Sequence, residues 1–144
     1  MKKIGDFDKK YLMPIGSSEH QEQCAFFEWL ELACPEIYKV TFAIPNGGKR
    51  DIGTATKLKK EGVKAGVPDI FIARGFDDGY DFQGGMFIEM KSKTGKVSEL
   101  QKDMITLLRR NCFAVYVCYG WEQARDAVMT NYWKTCFDVS SLTK

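Results

Sequence analysis

Pro68-Asp69-Ile70-Phe71-Ile72-Ala73, followed after a glycine-rich gap by Met86-Phe87-Ile88-Glu89-Met90-Lys91, is the stretch whose reading decides the fold. Asp69 opens one apolar, β-rich run and Glu89 closes the other. The intervening Gly75-Phe76-Asp77-Asp78-Gly79-Tyr80-Asp81-Phe82-Gln83-Gly84-Gly85 carries enough turn formers to let the two strands pair antiparallel. That pairing brings Asp69 and Glu89 to neighbouring strand positions. Two hard oxygen ligands at that spacing make half of a Mg²⁺ or Mn²⁺ site, whose other positions go to water and substrate phosphate. Lys91 is two residues after Glu89, so the pleat turns both side chains to one face. A cation there can position water and stabilise charge developing on phosphate. The chemistry expected from these residues is phosphodiester hydrolysis. Taken singly the motifs are bland, since Glu-x-Lys usually marks a solvated strand edge and Pro-Asp a turn.

Working outward, Ser18 and Gln21 match a capping box that opens a helix to about Ala33, with an apolar stripe of Cys24, Phe26, Phe27, Leu30 and Ala33. Pro35 is expected to end it, and Ile37 to Ala43 alternates as a strand. Pro45-Asn46-Gly47-Gly48 reads as a turn, followed by Lys49-Arg50 and a short basic helix capped by Asp51 and ending near Gly62. Strands are expected over Asp69 to Ala73 and Met86 to Ser92. A second capping box, Ser98 with Gln101, opens a helix through about Arg110. Phe113 to Cys118 reads as a buried strand and Trp121 to Met129 as a helix. The order predicts an α/β fold with a mixed central sheet flanked by helices. Residues 1–16 are expected to form an arm, 17–130 the domain and 131–144 a tail.

Composition bounds the rest. The 144 residues suit one domain, and 44% apolar with 28% charged residues is ordinary for a globular chain. No apolar run approaches the roughly 18 residues needed to cross a bilayer. Met1-Lys2-Lys3-Ile4-Gly5-Asp6 has no hydrophobic signal region, so a cytoplasmic location and no membrane partner are expected. The five cysteines are scattered without a C-x-x-C pair, suggesting neither zinc nor a disulfide framework, and Cys112 and Cys118 are expected to face the core. A lone histidine, His20, excludes multi-histidine metal chemistry. Net charge is only +2, yet Lys49, Arg50, Lys57, Lys59, Lys60 and Lys64 precede the carboxylates, and Lys91, Lys93, Lys96, Lys102, Arg109 and Arg110 follow the first of them. A basic rim around an acidic centre suits a polyanion.

The element order, with Pro68-Asp69 and Glu89-x-Lys91 on its central hairpin, resembles the PD-(D/E)XK nuclease superfamily, with its restriction-endonuclease-like core. Within it the chain is most similar to the VRR-NUC family, which includes small phage and bacterial proteins. The resemblance rests on Ser18-Glu19-His20-Gln21-Glu22-Gln23, Pro45-Asn46-Gly47-Gly48-Lys49-Arg50, Gly62-Val63-Lys64-Ala65-Gly66-Val67-Pro68-Asp69, Phe87-Ile88-Glu89-Met90-Lys91 and Ser98-Glu99-Leu100-Gln101. It implies that Asp69, Glu89 and the Met90 carbonyl ligate Mg²⁺ or Mn²⁺ and that Lys91 orients water. It also implies an acid on the first helix, Glu19 or else Glu22, and a glutamine, Gln101, near the site. Gln101 could equally be only a capping residue. Asn46, Gly47, Gly48, Lys49 and Arg50, with Lys64 and Lys93, would meet the nucleic-acid backbone without reading sequence. The family analogy further implies an endonuclease acting on branched or duplex DNA, notably four-way junctions, as a homodimer. Competing expectations are a catalytically silent nucleic-acid-binding module and a nuclease acting on flap DNA or RNA. A purely structural interaction domain would leave the acidic pair unexplained.

Overall fold

The computed structural model describes residues 16–46 and 51–137. Helix α1 (Glu19–Ala33) begins at the expected capping box: Ser18 Oγ accepts from Gln21 N and Gln21 Oε1 accepts from Ser18 N. Its buried stripe is Glu22, Ala25, Phe26, Trp29 and Leu30, one step round the helix from the expected one, which leaves Cys24 exposed. Pro35 starts an element rather than only ending one. Proline suits the first turn of a helix, where its missing N–H costs nothing, and α2 (Pro35–Tyr38) forms there. The strand expected from Ile37 is therefore only β1 (Thr41–Ala43).

Helix α3 (Ile52–Lys60) has the expected Asp51 cap and buries no residue. Next come β2 (Ile70–Ile72), a small ribbon of β3 (Phe76–Asp77) and β4 (Phe82–Gln83), and β5 (Met86–Lys91). The gap between β2 and β5 is thus a built ribbon. Helix α4 (Glu99–Arg110) has the second capping box, and β6 (Ala114–Tyr119) follows it. Cys112 sits at φ 62° in the connecting turn and is exposed, so the expectation that it faces the core is wrong; Cys118 is buried. Helix α5 (Trp121–Cys136) continues seven residues past the expected stop at Met129, because Tyr132 is buried against Phe76 and donates to Arg74 O at 2.7 Å. Residues 131–136 of the expected tail therefore lie within α5, and 138–144 lie outside the described residues.

The main sheet has the order β1-β2-β5-β6, antiparallel except for the parallel β5–β6 pair. The parallel pair needs a crossover, which α4 supplies. Registration of Ile70 with Ile88 and of Ile72 with Met86 sends these side chains, with Met90, to one face. There they form the core with Phe26, Trp29, Leu30, Ile37, Trp121 and Val128 from the helices. The pleat necessarily sends Asp69, Phe71, Phe87, Glu89 and Lys91 to the other face. The fold is the expected mixed sheet flanked by helices.

One covalent feature had no signal in the sequence. Cys34, where α1 meets α2, is bonded to Cys136 at the end of α5, across 102 residues. The reading of no disulfide is corrected: the two positions adjoin only because α1, α2 and α5 pack together.

Candidate active site

The site grows from the strand register. Ile70 opposite Ile88 leaves the next pair of positions, at the β2 entrance and in β5, beyond the last β2 bond. Asp69 fills the gap with its side chain, its Oδ2 accepting from Met90 N at 2.8 Å. The Asp69 carbonyl accepts from Ile44 N at 2.6 Å, which fixes its backbone to the chain leaving β1. In a β ladder the N–H and C=O of one residue point to the same edge. The Met90 carbonyl therefore shares the Asp69 side, while Lys91 O is used on the other side by Gly120 N.

Glu89 is 2% exposed and Lys91 7% exposed. Glu89 Oε1 accepts from Lys91 Nζ at 3.1 Å and from Gln101 Nε2 at 2.6 Å. Gln101 is at once cap and site residue, since its Oε1 accepts from Ser98 N at 2.9 Å. The capping reading holds, and the same side chain also reaches Glu89. Among the described residues, none is bonded to Asp69 Oδ1 or Glu89 Oε2.

Burial, then the charge of Asp69, push the Glu89 carboxyl up to about 7 despite its bond to Lys91. Burial also raises Asp69, against the Met90 N–H, and the charge of Glu19 raises both. A buried acid and a half-buried one that repel each other suit a hard divalent cation. Among the described residues no three His, Cys, Asp or Glu side chains are gathered tightly enough to enclose an ion. An ion would take Asp69 and Glu89 and complete its sphere from water, backbone carbonyl and substrate, which is how Mg²⁺ is commonly held.

The two candidate acids of α1 separate cleanly. Glu22 is 1% exposed and turns into the core, where it accepts from Ser17 Oγ and, at 2.7 Å, from Trp121 N. It ties α1 to the start of α5. Glu19 is exposed and lies beside Gly95, at which an added Cβ would come 3.3 Å from both Glu19 Oε1 and Lys91 Cδ. Glu19 therefore faces the site and Glu22 does not.

Asn46 has a role within the fold. Its Nδ2 donates to Lys64 O at 2.7 Å and Val67 O at 3.0 Å, clamping the loop that delivers Asp69. Lys64 and Lys93 are exposed on the segments leading to Asp69 and from Lys91. Gly47, Gly48, Lys49 and Arg50 lie outside the described residues. A further positioning residue carried no label beyond the Gly-Val-Pro-Asp run: Gly66, at φ +86°, where a Cβ would stand 2.5 Å from Leu100 O. Only glycine lets the Asp69 loop pass this close to the α4 turn that holds Gln101.

Two comparisons place the chain. Residues 10–122 match the VRR-NUC domain family. A solved structure described as a VRR_NUC domain protein superposes with a TM-score of 0.70 at 21% identity, covering 82% of this chain and 90% of that one. No curated protein matches significantly. The family match extends over most of the sequence, including Glu19, Asp69, Glu89, Lys91 and Gln101, and the chain belongs to the VRR-NUC family, a nuclease-type domain.

Proposed function

We propose that this chain is a Mg²⁺- or Mn²⁺-dependent endodeoxyribonuclease in which Asp69, Glu89 and the Met90 carbonyl hold the ion. The observation that carries the reading is the meeting of Asp69, Glu89, Lys91 and Gln101 at one strand end, with the Glu89 carboxyl raised to about 7. When bound, the ion would supply Lewis-acid polarisation of the scissile phosphate and lower the pKa of water. Lys91 would orient the attacking water and offset charge building on phosphate. Gln101 holds Glu89 Oε1, which would leave Oε2 for the ion. Glu19 would add negative charge at the rim. In-line attack would leave a 5′-phosphate and a 3′-hydroxyl.

The DNA backbone would be met by Lys64 and Lys93 and by the Asn46–Arg50 loop, with Gly47, Gly48, Lys49 and Arg50 contributing contacts that carry no sequence information. Branched DNA such as four-way junctions is the substrate favoured by family analogy. A homodimer suits that substrate, since two opposed cuts match a two-fold arrangement. The cytoplasm of a bacterial or phage-infected cell is where such DNA is met. Retention of the full acidic pair beside Lys91 disfavours a silent binding module, because carboxylates facing phosphate repel it unless a cation intervenes.

Nicking of a supercoiled plasmid in Mg²⁺, followed by addition of DNA ligase, tests the chemistry. Ligase should reseal the nicks, because it requires the predicted termini. Nicks that resist sealing until their ends are repaired would contradict in-line attack with this polarity.

A further inference from the structure

The sheet face that holds the acids also holds a row of phenylalanines. Phe42, Phe71 and Phe87 are aligned across β1, β2 and β5, with Phe113 at the entrance to β6. Phe71 and Phe87 stack at 4.4 Å with a 30° tilt. Phe42 stands edge-on to Phe71 at 5.7 Å, and Phe113 edge-on to both Phe71 and Phe87 at 5.9 and 5.6 Å. The row is not sealed: Phe42 is 50% exposed and the other three are half-buried. At Gly85 an added Cβ would come 2.9 Å from the Phe71 ring, and at Gly84 3.2 Å from Phe113. The glycine pair therefore leaves the rings room to lie close over the backbone.

The row is continuous with the acidic site. Phe71 is two residues from Asp69 and Phe87 two from Glu89, on the same pleated face. Two strand residues span about 6.6 Å, close to two stacked nucleotides at about 3.4 Å each. The nucleotide that meets these rings is within a step or two of a phosphate held at Asp69 and Glu89. Paired bases keep their flat faces inside the duplex and cannot use such rings, whereas unpaired bases can.

We infer that Phe42, Phe71, Phe87 and Phe113 form a stacking platform for unpaired DNA bases beside the scissile phosphate. The inference rests on the nuclease reading and narrows it: among branched DNAs, those with unpaired bases immediately next to the cut, such as flaps, are preferred over fully paired four-way junctions. Phe42 is the ring to test, because it stands at the sheet edge, half in solvent, and its loss spares the core.

The test is fluorescence anisotropy in EDTA, where no cutting occurs, with labelled oligo-dT and a duplex of equal length. Phe42→Leu keeps an apolar side chain without an aromatic face, and Phe42→Tyr restores the face. Phe42→Leu should weaken oligo-dT binding about 5- to 150-fold, matching the 1–3 kcal/mol of one stacked base, while duplex binding moves less than about twofold and Phe42→Tyr binds like wild type. Ultraviolet crosslinking of a bromouracil oligonucleotide should label Phe42 or Phe71. Equal losses on both DNAs, unchanged oligo-dT binding, or a Phe42→Leu change only in self-association by sedimentation would each overturn the platform. Because these readouts need no cleavage, the platform and the nuclease reading fail separately. Metal-dependent cutting with unchanged oligo-dT binding sinks the platform alone, and aromatic-dependent binding without cutting under any metal sinks the nuclease alone.

Discussion

Glu89 is where burial and charge meet at a single residue. Its carboxyl is held near 7 in the folded chain against 4.5 as the ordinary value. Between those values the folded protein keeps a proton that the unfolded chain has released. Ion-free stability should therefore fall as pH rises from about 4.5 to 7, as unfolding in urea at each pH would reveal. The same proton would compete with a cation. Mn²⁺ affinity measured by calorimetry should strengthen through pH 7, with protons released on binding; affinity that is flat from pH 6 to 8 would remove Glu89 from the ligand set. Glu19 and Glu22 supply a second contrast. Glu22→Ala should cost about 2–3 kcal/mol by removing the buried carboxylate that accepts from Ser17 Oγ and Trp121 N, with activity per folded molecule retained. Glu19→Ala should leave the melting temperature unmoved and lower turnover. The reverse pattern would exchange their assignments. Sequence spacing could not choose between these acids, since both lie in the first turn of α1 and only the packing of α5 against α1 sets them apart.

At the scale of elements, the site depends on how loops deliver side chains to strand ends. Gly66 sits at φ +86° against the Leu100 carbonyl, and Asn46 holds the same loop through two carbonyls. Gly66→Ala should cost more than about 1–2 kcal/mol, the left-handed penalty alone, and should lower activity further than its stability loss explains, because Asp69 is displaced. A variant with unchanged unfolding and cleavage would show that the close approach is immaterial. Helix starts were well marked in the sequence because Ser18–Gln21, Asp51 and Ser98–Gln101 carry their capping chemistry locally. The Pro35 turn, the β3–β4 ribbon and the end of α5 were less so. Each is decided by contacts from distant segments, such as Tyr132 with Phe76 and Arg74, that no local period encodes.

Across the whole molecule, Cys34–Cys136 joins the α1–α2 corner to the end of the last described helix. Closing a loop of 102 residues is worth up to about 4.7 kcal/mol in the chain-entropy account. Such bonds are uncommon in a reducing cytoplasm, so the melting temperature with and without dithiothreitol is informative. A drop of several degrees on reduction, reproduced by Cys136→Ser, is expected; identical melting would mean that the thiols are unpaired in solution. Among the described residues no helix is long and apolar enough to span a membrane. The acidic pair, Lys91 and Gln101 could be picked out from the sequence because they sit on motifs at fixed spacing. The aromatic face could not, since Phe42, Phe71, Phe87 and Phe113 come from four separate segments and align only through the register of the sheet.

The central claim is that Asp69 and Glu89 hold a divalent cation for DNA hydrolysis with Lys91 beside them. End-labelled four-way junction, flap, duplex and single-stranded DNA should be incubated with wild type, Asp69→Asn and Lys91→Ala in Mg²⁺, Mn²⁺ or EDTA. Wild type should cut branched DNA in either metal and not in EDTA. Asp69→Asn should bind without cutting, and Lys91→Ala should cut about 10²–10³-fold more slowly. Binding without cutting by wild type under every metal, or cutting by Asp69→Asn at the wild-type rate, would contradict the account.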